Sequence, residues 1–206
     1  MSEEKEEALR QISEIKNHLV DKQTFFPYNY KAEYVWSMIA IIMIFTIIPL
    51  YERSVLYGTG VSFLLITFGF VVDGVLTKKE NASYNIEDCT ARQHFIMKNF
   101  MMMSFFIIVM SAVLAQYRLY MPMFLLWLFM ISLGHFAVGF VLNIKKFTQM
   151  AQFNMLASVI LLAIGTINNT LEGYSGIYVL VVQGFMLLGL AILPSLIAWQ
   201  QIKVWK

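Results

Sequence analysis

Charge is what this sequence lacks most. Only 14% of its 206 residues are Asp, Glu, Lys or Arg, against about 25% in an ordinary soluble domain. The shortfall is uneven. Charged residues gather in the first 33 positions and in a few short loops, leaving long apolar runs between them. Mean hydropathy is correspondingly high, at +0.66. A helix of a soluble domain needs a polar outer face, and residues 97–117 and 119–143 have almost nothing to build one. That excludes a water-soluble helical domain and leaves a polytopic membrane protein.

Other absences narrow the functional field. Cys89 is the only cysteine, so an intramolecular disulfide is excluded and a cysteine-based metal or redox centre is not expected. Cys89, His94 and His18 are not linked by any recognised zinc spacing. One histidine, His135, falls in an apolar run, so bis-histidine haem within one chain is also excluded. No cofactor is expected. The net charge of +2 and the absence of a basic, aromatic-interleaved stripe argue against nucleic acid. The opening MSEEKEEALRQISEIK is polar, so no cleavable signal peptide is expected. Neither a catalytic pair nor a phosphate-binding loop appears, and an enzyme is not expected.

Six runs approach the roughly 20 apolar residues that a membrane-spanning helix needs: residues 34–51, 55–77, 97–117, 119–143, 150–167 and 177–199. The fold class predicted is therefore all-α. A cytosolic amphipathic helix and interfacial segment (1–33) precede a six-helix transmembrane domain (34–206). Lys and Arg placement orients it. With the N-terminus in the cytosol, 13 of the 15 basic residues lie inside, and only Arg53 and Arg118 lie outside. Both termini are then cytosolic, and a multi-pass protein of the inner (plasma) membrane is expected. Tyrosines and tryptophans at the ends of the runs form aromatic belts that agree with this registration. Pro49 and Pro194 fall within spans one and six, where membrane helices tolerate proline.

Residues 3–21 read as a helix, with Ser2 as N-cap and glutamates in the first turn. Ile12, Ile15 and Leu19 continue a heptad-like seam from Ala8, making them candidates for binding a cytosolic partner or a second copy. Six acids against three Lys or Arg make the segment a poor anchor for anionic lipid. The stretch NASYNIEDCTARQHFIMK is read as extending span three into the cytosol, with Asn85 as a possible cap.

The segment EALRQISEIKNHL before the first span, and NIKKFTQMAQFNMLASVILLAIG later, resemble a group of small, uncharacterised bacterial inner-membrane proteins with six spans. The resemblance implies an inner-membrane protein found beside regulators, with no established reaction and no site residue to carry over. The group's last span tends toward a Gly–His–Tyr–Gly-like pattern. Here QGFMLLGLAILPSLIAW keeps glycines but has no histidine.

Ionisable residues within a bilayer are costly and are functional candidates by default. Two stand out. Asp73 belongs to a stripe on one helical face with Thr59, Ser62, Ile66, Gly69 and Thr77. His135 forms a shorter stripe with Ser132 and Gly139. Facing each other, the stripes would make a semi-polar seam, with Asp73 as the nearest intramembrane acid to His135. The bland alternatives are small-residue packing, and an Asp73 paired with Lys78 or Arg92 in interfacial water. Two functional readings follow. One is a scaffold, sensor or accessory subunit acting through cytosolic helices, with the bilayer and a protein partner or homo-oligomer around it. The other is a transporter or permease subunit for a small solute or ion, using the seam around Asp73 and His135.

Overall fold

The computed structural model describes residues 28–204 except 85, 87, 88 and 175, together with Glu7. The expected N-terminal helix, with Ile12, Ile15 and Leu19, lies outside the described residues. Among the described residues six helical stretches are long and apolar enough to cross a membrane. They are α1 (Tyr30–Arg53), α2 (Val55–Ala82), α3 (Ala91–Gln116), α4 (Tyr120–Val141), α5 (Lys145–Ile167) and a sixth span. The sixth is built from α6 (Ile177–Leu187), a π-helical turn (Leu188–Ile192) and α7 (Leu193–Val204). At 22–28 residues each, these helices run about 33–42 Å, enough to cross a hydrocarbon core of about 30 Å. Large apolar side chains such as Leu56, Phe105, Phe140 and Ile167 point outward from the bundle. That arrangement suits lipid and not water.

The helices extend beyond the apolar runs, and the reasons are local. Asn29 caps α1, its Oδ1 accepting from Lys31 N at 3.1 Å. The helix therefore starts before residue 34 and takes Glu33 into the bundle. α3 begins at Ala91 behind a capping box in which Thr90 Oγ1 accepts from Gln93 N and Gln93 Oε1 accepts from Thr90 N. The cap is thus Thr90, whereas Asn85 lies outside the described residues. α2 continues past Thr77 to Ala82, and α5 starts at Lys145. Lysines at such ends can lay their stems along the helix while the ammonium reaches the interface.

Short connections reverse the chain at each end. One residue, Ser54, separates α1 from α2. α3, α4 and α5 each end with a residue of positive φ, respectively Arg118, Asn143 and Asn169. In each case the next N–H bonds back five residues: Leu119 to Leu114, Ile144 to Gly139, and Thr170 to Gly165. This closure satisfies carbonyls that a helix end would otherwise leave bare in a low-dielectric setting. The face where α1, α3 and α5 begin carries Lys31, Lys78, Lys79, Arg92, Lys98, Lys145, Lys146 and Lys203, and is called the basic face below.

Burial divides the bundle. Only 17% of the apolar window of α2 and of α3 is buried, against 50% for α4. α2 and α3 are therefore peripheral, and the core lies among α1, α4, α5 and the sixth span. Ile47, Ile48, Phe124, Leu128, Val182 and Met186 fill it. The polar stripe of α2 packs chiefly on α1 and does not face α4. Its glycines explain why. Gly58 lies under the Tyr51 ring and Gly69 under the Trp36 ring, at distances no side chain would allow. The expected direct seam between α2 and α4 is thus replaced by one with α1 interposed.

The π turn sits just before Pro194, which has no N–H to donate. Leu193 N instead bonds to Leu188 O, one residue further back than in an α-helix. Neighbouring helices supply donors to this altered stretch. Asn154 of α5 donates to Gly189 O (3.1 Å), and Ser37 of α1 donates to Ala191 O (3.0 Å). Ser195 Oγ in turn donates to Ser37 Oγ at 2.8 Å. Irregular backbone is tolerated at membrane depth under this condition, with its polar groups bonded inside the protein.

Candidate functional site

α1 brings its inward face to the centre of the bundle, and Glu33 sits on that face. Three residues later comes Trp36 and four later Ser37, both also turned inward. Glu33 Oε2 lies 3.3 Å from His135 Nε2 on α4, and both side chains are more than nine-tenths buried. The other carboxylate oxygen, Oε1, accepts from the Tyr28 hydroxyl. His135 Nδ1 faces the Ile131 carbonyl at 3.1 Å. The imidazole stacks on Phe147, with ring centroids 5.7 Å apart.

These contacts restrict the protonation states. A carbonyl cannot donate, so Nδ1 carries a hydrogen. One further proton is left between Nε2 and Oε2. The pair is either imidazolium with carboxylate or neutral imidazole with carboxylic acid, and its total charge is zero in both forms. Tyr28, just outside α1, stays a donor, because burial and the adjacent Glu33 hold its phenol well above the ordinary range.

A second acidic centre lies beside the first. Asp73 Oδ2 accepts from Trp36 Nε1 (3.1 Å) and Oδ1 accepts from Thr77 Oγ1 (3.0 Å). The Trp36 ring, seated over Gly69, also meets Phe70 edge-on at 5.1 Å. Asp73 thus has neutral donors, rather than the lysine or arginine that the interfacial reading supplied.

Glu33, His135 and Asp73 all line one cavity of about 200 Å³. It extends from Tyr28, Asn29, Thr77 and Cys89 near the basic face toward Trp127 and Met186. Its walls are mainly apolar. Near the basic face Asn81 and Gln93 exchange two hydrogen bonds, at 2.9 and 2.8 Å, tying the end of α2 to the start of α3.

The structure brings Asp73 and His135 to the same cavity, but it is Glu33, not Asp73, that His135 contacts. The remaining polar candidates lie elsewhere. Ser62 is buried and donates to Gly58 O of its own helix at 2.8 Å. Thr59 Oγ1 and Ser132 Oγ are buried without a hydrogen-bond partner among the described residues. Gly139 packs on Phe147 and Thr148 of α5, and Phe147 is also the ring on which His135 stacks. Sequence reasoning missed Glu33, Tyr28, Asn29 and Trp36. A signal for Glu33 was present: it falls in helical register with Ser37, Ala40 and Ile44 on the inward face. No family model, curated protein or solved structure matches this chain.

Proposed function

We propose that this multi-pass membrane protein binds a small solute in its central cavity and passes it across the bilayer, as a transporter or permease subunit. The observation carrying this reading is the buried Glu33–His135 pair on the wall of a cavity that reaches the basic face. A scaffold or accessory subunit has no need of a carboxylate and an imidazole paired inside the bundle, where burying such groups is expensive. Intramembrane carboxylates and histidines facing a cavity belong to solute pathways and proton relays. The one mobile proton of the pair offers a means of coupling solute movement to protonation. In this reading the basic face is cytosolic, supported by the 13-to-2 division of Lys and Arg. The membrane is the inner (plasma) membrane, and the chain preceding Tyr28 lies on its cytosolic side.

The test is purification of the full chain in native-lipid nanodiscs, followed by mass spectrometry of extracted small molecules and co-purifying proteins. Ala40→Trp, which places an indole into the cavity wall, serves as the comparison. A small molecule enriched with the wild type and absent from the variant is expected. Stoichiometric protein partners with lipid alone would return the account to the scaffold reading.

A further inference from the structure

The cavity's charge balance points to the class of solute. Among its lining residues the ionisable groups other than Tyr28 and Cys89 are Glu33, Asp73 and His135, and none is Lys or Arg. The Glu33–His135 pair is neutral overall as long as it holds its shared proton. Asp73 has two neutral donors, Trp36 Nε1 and Thr77 Oγ1, and no cationic partner among the described residues. An ionised Asp73 therefore leaves one negative charge uncompensated inside the bundle, and such a charge is stabilised by pairing.

The walls describe the rest of the ligand. Trp36, Phe70, Phe100 and Trp127 surround the space with aromatic surface. Aromatic faces attract cations more strongly where water is excluded. The volume, about 200 Å³, limits size: apolar cavities of about 150 Å³ take up benzene. One ring with a short substituent fits a space of that volume.

Resting on the solute-binding reading above, we propose that the cavity takes a small organic monocation, an alkyl- or arylalkylammonium of about one ring in size. Asp73 is its counter-charge, and the Trp36 and Phe100 side of the wall receives its apolar body. The ammonium donates to Asp73 oxygens that keep acceptor capacity beyond their two present bonds.

The test uses three probes of nearly equal shape on the full chain in nanodiscs at neutral pH: benzylammonium, benzyl alcohol and benzoate. Thermal unfolding is followed as each probe is titrated, since a ligand that binds the folded state raises the midpoint. Benzylammonium is expected to raise it saturably. The other two should bind about tenfold or more weakly, and Asp73→Asn should weaken benzylammonium by a similar factor. The probe comparison needs only wild-type protein, so a poorly folded Asp73→Asn does not remove the test. Equal binding of benzyl alcohol and benzylammonium would overturn the cation assignment while leaving a solute cavity in place. No saturable shift with any probe would overturn the cavity reading and the cation assignment together.

Discussion

Replacing Glu33 and His135 by glutamine, singly and together, measures how strongly the two are coupled. At their separation of 3.3 Å, a full charge pair attracts by about 5 kcal/mol at an effective dielectric of about 20. Desolvation of both groups takes back part of this. His135→Gln alone removes the cationic partner of Glu33 and should destabilise by up to about 3–5 kcal/mol, the usual penalty for breaking a buried pair. The double variant has no charge left to strand, so it should lose less than the two single losses added. A coupling energy of about 2–4 kcal/mol is expected. That figure separates two physical cases, because neutral hydrogen bonds between membrane helices average about 0.6 kcal/mol and reach about 1.7. Reversible unfolding in bicelles, read by steric trapping, gives the four stabilities. A coupling below about 1 kcal/mol would refute an ionic pair and place the shared proton on Glu33.

Gly69→Leu should destabilise by about 1–3 kcal/mol and detach Trp36 from Asp73, since a Cβ there would stand 2.7 Å from the indole; a changed Trp fluorescence spectrum checks the second part. Asn81→Leu should cost about 1–3 kcal/mol by stripping the Gln93 amide of both bonds to Asn81, whereas Asn81→Leu with Gln93→Leu should recover part of the loss in the same unfolding assay. Arg118→Gly should stabilise by about 0.5–1 kcal/mol, because the left-handed conformation at φ 56° burdens arginine and not glycine. In a Cys89→Ser background, Glu172→Cys should label from outside intact cells and Lys145→Cys only after permeabilisation; the reverse pattern would invert the assigned orientation.

The spans were legible in the sequence because a hydrocarbon core demands run length, and run length is a one-dimensional property. Their ends were not. Hydropathy discounts Lys78, Lys79, Lys145 and Glu33, while the helix continues through them to keep its backbone bonded. That difference decided the candidate site. Cutting the first span at residue 34 put Glu33 in the cytosolic segment and left Asp73 as the apparent partner of His135. The stripe on α2 was read correctly as a face, but its neighbour was not. Which helix fills the space above Gly58 and Gly69 depends on the one-residue turn at Ser54 bringing Tyr51 and Trp36 back over them. The π turn had only Pro194 as its sign. Proline announces a break but does not say that Asn154 and Ser37 will bond the displaced carbonyls.

Passage of a solute is tested most directly by uptake of radiolabelled benzylammonium into proteoliposomes holding an inside-negative potential. Wild-type protein is expected to give saturable uptake above protein-free liposomes, with Ala40→Trp and Asp73→Asn reduced toward that background. Uptake equal to protein-free liposomes, by wild-type protein that binds the same probe in nanodiscs, would contradict transport and leave a binding protein in its place.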